Sequence, residues 1–198
     1  KIKLIVLDEA DEMLSSGFKD QMYKIFQFMP NEIQIGLFSA TLPKELLELT
    51  NTFMKYPTKI LVKNDELTLQ GIAQYYINLH GDEQKFICIK DIFSSLAVSQ
   101  AIIYCNSVNR VNDLAEAMLE DNFPVKKIHG KMKEGERKKI YKEFKNGGCR
   151  VLITSDLFAR GIDVQQVSIV INFDIPRNGI SKLITCLLYT SDAADDKQ

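Results

Sequence analysis

The sequence predicts an α/β fold with two blocks of parallel sheet, and three observations carry that expectation. Short continuous apolar runs, such as Leu4-Ile5-Val6-Leu7 and Ala101-Ile102-Ile103-Tyr104, alternate with segments of helical apolar spacing. Such runs mark strands covered on both faces, and their alternation with helices implies parallel sheets flanked by helices. A polar stretch at 63–71, Lys-Asn-Asp-Glu-Leu-Thr-Leu-Gln-Gly, separates the blocks and reads as a linker.

The elements follow in order. Leu4–Leu7 is the first strand. Met22, Ile25, Phe26 and Met29 recur at helical spacing up to Pro30. Ile35–Phe38 is the next strand. Pro43 opens a helix at its first turn, where the missing N–H costs nothing, and Leu46, Leu47, Leu49, Phe53 and Met54 form its apolar face. Ile60-Leu61-Val62 closes the first block. After the linker come a strand at Tyr75–Ile77, a helix at 83–96, a strand at Ala101–Tyr104, and a helix at 109–121 whose apolar residues are Val111, Leu114, Ala115, Met118 and Leu119. A strand at 125–128, a charged helix at 133–146 and strands at 150–154 and 168–173 complete the second block.

Composition narrows the class. The chain has 198 residues, is 45% hydrophobic and 26% charged, and carries 25 Lys and Arg against 26 Asp and Glu for a net charge of −1. That is an ordinary globular composition. No apolar run reaches the roughly 20 residues a bilayer span needs, so no membrane partner is expected. The four cysteines contain no Cys-x-x-Cys pair, and only His80 and His129 could join them in a zinc site. Free thiols are the expectation.

Four constellations carry chemistry. In Val6-Leu7-Asp8-Glu9-Ala10-Asp11 an apolar strand delivers carboxylates to the carboxyl edge of a parallel sheet, where open α/β folds bind ligands. Magnesium takes one or two carboxylates plus waters and phosphate oxygens, a role that suits Asp8, and Glu9 could orient or deprotonate a water. The same residues could instead cap the next helix. Ser39-Ala40-Thr41 places hydroxyls at a strand end, to bond a nearby carboxylate or cap the helix of Pro43. Residues 126–150 hold ten Lys or Arg against three Glu, a local charge of +7 that leaves −8 elsewhere. Such a stripe neutralises phosphates or is a solvated helix face. Finally, Arg160-Gly161-Ile162-Asp163 offers a planar phosphate-binding fork, a close backbone approach and a carboxylate able to bind a ribose hydroxyl, or an ordinary turn with an Arg–Asp pair.

Taken in order, Asp8-Glu9-Ala10-Asp11, Ser39-Ala40-Thr41, Ile103-Tyr104-Cys105-Asn106-Ser107, His129-Gly130 and Ala159-Arg160-Gly161-Ile162-Asp163 resemble successive motifs of the DEAD-box ATP-dependent RNA helicases. The flanking text, Ile60-Leu61-Val62-Lys63 into Asp65–Leu69 and Val164-Gln165-Gln166-Val167-Ser168, is similar to the branch of translation initiation factor 4A and its exon-junction paralogue. The resemblance covers roughly residues 1–178. It implies two RecA-like lobes, both incomplete: residues 1–66 as the rear of the ATP-binding lobe and 67–179 as most of the second.

The resemblance also implies roles. Asp8 would hold Mg2+ through water, Glu9 would activate the water attacking the γ-phosphate, and Asp11 would bond Ser39 or Thr41. Asn106, Gly130, Arg137, Ser155 and Arg160 would contact the backbone of single-stranded RNA, with Asp163 and Arg160 at the ATP. The partners implied are RNA and scaffold proteins of initiation or the exon junction, in the cytoplasm or, for the second, the nucleus. The alternative is a non-catalytic RNA- or protein-binding module at 67–179.

Departures matter too. Lys131 stands where the family usually has Asp, Glu134 where it has Gln, and Thr154-Ser155 reverses the usual order. The chain contains no Gly-x-x-x-x-Gly-Lys-Thr loop and no His-Arg-x-Gly-Arg motif. The expectation is therefore a fragment that does not itself hydrolyse ATP. Residues 180–198 leave the family pattern and are expected to be disordered or artefactual.

Overall fold

β1 (Leu4–Leu7) runs parallel to β2 (Gln34–Leu37), with Leu4 opposite Gln34 and Leu7 opposite Leu37. The computed structural model describes residues 2–14, 18–39, 44–61, 73–155, 164 and 166–175. Between the two strands lie α1 (Ala10–Met13) and α2 (Lys19–Gln27), and α3 (Lys44–Phe53) follows them. Leu7, Ala10, Leu14 and Met22 form the core of this unit, with Met13, Phe26, Leu37 and Phe53 packed on it. The Phe26 and Phe53 rings stack at 4.5 Å, locking α2 against α3. Leu4 and Val6 stay more than half exposed. The expectation that both faces of β1 are covered therefore fails within this unit, because the helices contribute their apolar residues to one side of a two-stranded sheet.

The chain divides into two units, Lys1–Thr68 and Leu69–Gln198. The second is built on a four-stranded parallel sheet of order β4-β5-β3-β6, from β3 (Gln100–Cys105), β4 (Val125–Ile128), β5 (Val151–Ser155) and β6 (Val167–Asn172). Its helices are α4 (Asp82–Ser95), α5 (Val108–Glu120) and α6 (Glu134–Lys145). Alternate residues of β3 serve opposite cores. Ala101, Ile103 and Cys105 pack with Ile89, Phe93, Val111, Leu114 and Met118 from α4 and α5. Ile102 and Tyr104 pack with Ile128, Leu152 and Phe144 of α6. Here the expected coverage of both faces is found.

Two local devices set the helices. Ser107 Oγ accepts the Arg110 N–H at 3.3 Å and starts α5 as its N-cap. At the opposite edge of the sheet, Gln100 Nε2 donates to the Phe144 and Cys149 carbonyls, both at 2.7 Å, and so holds the end of α6 against the start of β3. The chain leaves α6 through Gly147 at φ +78, a left-handed turn that glycine adopts without strain.

The sequence expected a strand at Tyr75–Ile77, and the structure has none. Residues 73–79 belong to no helix and join no ladder, and Tyr75 and Tyr76 are 89% and 94% exposed. Ile60 and Leu61 likewise pair with no strand. A strand needs a neighbour for its N–H and C=O groups, and a local apolar pattern does not supply one. Cys88, Cys105 and Cys149 are in no disulfide, and the last two are buried. The linker at 63–71, Thr41, Arg160, Asp163, Cys186 and the tail at 180–198 lie outside the described residues. Among the described residues no helix is long and apolar enough to cross a membrane.

Candidate functional site

In the first unit the chemistry sits where β1 meets α1. The Phe38 N–H donates to the Leu7 carbonyl at 2.8 Å, and the Ala10 N–H donates to the Phe38 carbonyl at 3.0 Å. These bonds fix the chain on either side of Asp8 and Glu9. Asp8 Oδ1 accepts the Glu9 N–H at 2.9 Å, and Glu9 adopts φ +51. A left-handed backbone at a glutamate is strained, and such strain persists only where surrounding bonds over-determine it. Asp11 is the second residue of α1, and its N–H donates to Ser39 Oγ at 3.3 Å, across to the end of β2. The structure thus brings Asp8, Glu9, Asp11 and Ser39 to one strand edge.

Among the described residues no three His, Cys, Asp or Glu side chains converge on a metal site. A cation here would meet few protein oxygens, with Asp8 exposed at the strand end. That donor set fits magnesium, which keeps several waters and takes phosphate oxygens as ligands. It does not fit zinc or calcium, which need fuller protein cages.

In the second unit the parallel strands all end on one edge. Cys105 is opposite Ser155, Ile128 opposite Thr154, and Tyr104 opposite Asn172. Asn106, His129, Ser155 and Asn172 therefore share the carboxyl edge of adjacent strands. Each carries a buried polar atom without a hydrogen-bond partner: Asn106 Oδ1, His129 Nδ1, Ser155 Oγ and Asn172 Oδ1. Ser155 is only 4% exposed and His129 8%. More than nine in ten buried polar groups find a partner, so four orphans on one edge leave bonding capacity that a ligand at the carboxyl ends of the strands could meet. Gly130 is exposed beside His129, and α6 carries Arg137 half-buried.

The basic segment turns outward. Lys138 pairs with Glu134 at 2.6 Å and Lys126 with Glu143 at 3.5 Å. Lys131, Lys133, Lys139 and Lys142 are exposed and have no ion-pair partner among the described residues. Burial, reinforced by Lys127 and Lys131, pushes the His129 imidazole below its ordinary value of 6.5, with Glu136 opposing. The fold thus holds it neutral, while the unfolded chain takes up the proton. Stability is full above pH 6.5 and declines as the pH falls below it. We expect the urea midpoint of the second unit to drop between about pH 7 and about pH 5, and to drop less in His129→Gln. An unchanged pH slope in that variant would refute the assignment.

A group of residues that sequence reasoning missed lies at the end of β6. Arg110 donates to Asp174 from Nε and Nη2, both at 2.6 Å, and to Asp82 from Nη1 at 2.9 Å and Nη2 at 2.8 Å. Lys85 Nζ reaches Asp174 Oδ1 at 3.4 Å, and both cations lie over the Phe173 ring. The Arg110 hydrogen bonds hold the Asp82 carboxyl at about 2. Burial alone would raise Asp174, but Arg110, the Asn106 N–H and Lys85 outweigh it and hold that carboxyl low. The available signal was an Asp directly after an apolar run, the pattern of Asp8.

Two family models match this chain: the helicase conserved C-terminal domain over residues 84–187 and the DEAD/DEAH box helicase over 1–49. The chain belongs to the DEAD-box helicases. Eukaryotic initiation factor 4A of Caenorhabditis elegans is 56% identical over 178 residues, which is 90% of this chain and 44% of that protein. The ATP-dependent RNA helicase eIF4A of Candida albicans is 53% identical, over 90% of this chain and 45% of its own. Against these relatives the chain spans somewhat less than half their length. Among solved structures, Dbp5 of S. cerevisiae bound to RNA and ADP BeF3 superposes with TM-score 0.87 at 29% identity, covering 96% of this chain and 50% of that one. A DEAD box protein from Methanococcus jannaschii gives TM-score 0.54 at 30% identity over 92% of this chain and 48% of its own. The parallel α/β units of this DEAD-box chain are accordingly RecA-like, as its motifs implied.

Proposed function

We propose that this chain is part of an ATP-dependent RNA helicase of the initiation factor 4A type. On this reading residues 1–66 come from the ATP-binding lobe and residues 67–179 form most of the second lobe; the motif pattern breaks at 180, although the helicase C-terminal match runs on to 187. The observation that carries the reading is the row of unsatisfied polar atoms along the carboxyl edge of β4, β5, β3 and β6, beside exposed unpaired lysines. That combination suits a strand recognised through its sugar–phosphate backbone, without reading of base sequence.

In the first lobe Asp8 would hold magnesium through water, and bound magnesium would neutralise charge on the nucleotide phosphates. Glu9, set by its constrained backbone, orients a water and takes its proton as that water attacks the γ-phosphate. Asp11, tied to Ser39, which stands two residues before Thr41, links the nucleotide edge of β1 to the end of β2. In the second lobe Asn106, Gly130, Arg137, Ser155 and Arg160 contact the RNA backbone. Asp163, with Arg160, binds the ribose and phosphates of ATP. Coupling of nucleotide state to RNA affinity would then strip one strand from a weak duplex. The partners of this reading are single-stranded RNA and a scaffold protein of initiation, in the cytoplasm, or of the exon junction, in the nucleus.

A second reading, an RNA-binding module that needs no nucleotide, is favoured by the +7 segment at 126–150. Both readings are tested by fluorescence anisotropy of a labelled single-stranded RNA against the purified chain at several salt concentrations. We expect affinity to fall steeply with salt, and Arg137→Ala to reduce the slope of log affinity against log salt by about one. Binding that ignores salt, or no binding, would defeat both. Dependence of affinity on added ATP, measured in a longer chain that also carries a phosphate loop, separates them.

A further inference from the structure

We propose that Asp174, locked by Arg110, is the positioning residue for Asn106, and so for the RNA-facing end of β3; the inference rests on the RNA reading above. Asn106 is held at two points by consecutive residues beyond β6. Its backbone N–H donates to Asp174 Oδ2 at 3.1 Å, and its side-chain Nδ2 donates to the Ile175 carbonyl at 2.8 Å. A carbonyl can only accept, which settles the end of the amide that faces Ile175. The side chain therefore sits in one orientation, with Oδ1 left buried and unpartnered.

This network is paired everywhere except at the ligand-facing residue. Arg110 engages both oxygens of Asp174 and both oxygens of Asp82, while Lys85 reaches one oxygen of each. The arrangement also solves an electrostatic problem. A bare carboxylate at the edge proposed for a polyanion would repel it, whereas Asp174 is 9% exposed and faces two cations. It can thus act on Asn106 without adding repulsion. Pre-organised side chains with unmet bonding capacity are the pattern of a binding site, because their ordering cost is met in the fold and not on binding.

A double-mutant cycle on the full chain, read as affinity for a labelled single-stranded polyuridine, tests the coupling. Asn106→Ala and Asp174→Ala should each weaken binding by about five- to tenfold, the value of roughly one hydrogen bond. The double variant should bind no more weakly than Asn106→Ala alone, because Asp174 acts through Asn106. Asp174→Asn, which keeps an acceptor for the Asn106 N–H, should recover part of the loss. The salt slope should be the same in all variants, since neither residue contributes a cation. Losses that multiply in the double variant would overturn the proposal, as would wild-type RNA affinity in a folded Asp174→Ala chain. If Asp174→Ala fails to fold, the cycle runs with Asp174→Asn and the same criterion. A wild-type chain that binds no RNA overturns the underlying reading, and a chain that binds with multiplying losses overturns the positioning alone.

Discussion

Phe144→Ala is expected to lower the stability of the second unit by about 3–5 kcal/mol, the usual loss when a fully buried aromatic ring is cut to a methyl. Phe144 is 0% exposed and fills the α6 face of the sheet among Ile102, Tyr104, Ile128 and Leu152. Those neighbours stand on three paired strands, whose ladder bonds keep them from closing on the vacated space. The cavity therefore persists, and the high end of the range applies. The loss also loosens a second contact, because the Phe144 carbonyl receives Gln100 Nε2 and anchors the end of α6. Urea unfolding followed by circular dichroism reads the effect. A loss under about 1 kcal/mol would mean that the core on that face is far softer than close packing implies.

Arg110→Leu is expected to cost about 2–4 kcal/mol at neutral pH. Breaking a buried ion pair from one side typically costs about 3–5 kcal/mol, because a charge is left behind without its partner. Asp174 is that charge, at 9% exposure, but Lys85 and the Asn106 N–H still reach it. The Asp82 half of the network lies in solvent and adds little. The sign of the pH dependence follows from the carboxylates. Asp82 is held at about 2 and Asp174 below its ordinary 3.8, so both stabilise the fold above the ordinary range and lose that contribution as the pH falls through their folded values. Wild-type and variant should therefore approach each other in stability as the pH falls from about 4 through about 2, measured as urea midpoints across an acid series. A gap that stays constant into acid would show that Arg110 acts by packing on Phe173 and not by charge.

The motif residues were legible because they are local. Asp8 follows an apolar run in the sequence and follows a strand in space, and the two statements are the same one. Likewise Asn106 comes directly after the apolar run of β3, and Ser155 stands two residues past Val151-Leu152-Ile153, so these strand ends could be read off the sequence. The Asp174–Arg110 pair was not legible, since its members lie 64 residues apart and nothing in either neighbourhood names the other. The same limit explains Tyr75–Ile77, which has strand composition and no strand. It explains the two apolar runs that looked alike, of which β3 is covered on both faces and β1 on one.

By itself the sequence determined the alternation of strands and helices, the division into two blocks, the placing of carboxylates and hydroxyls at strand ends, and the family. These are consequences of residue type and spacing, which act over a few residues. Only the tertiary structure decided which strands pair, which faces are covered, which polar atoms are left unsatisfied, and that Arg110 and Asp174 meet behind Asn106. Those outcomes depend on the order of strands in a sheet, and that order is set by burial and hydrogen bonding summed over the whole unit.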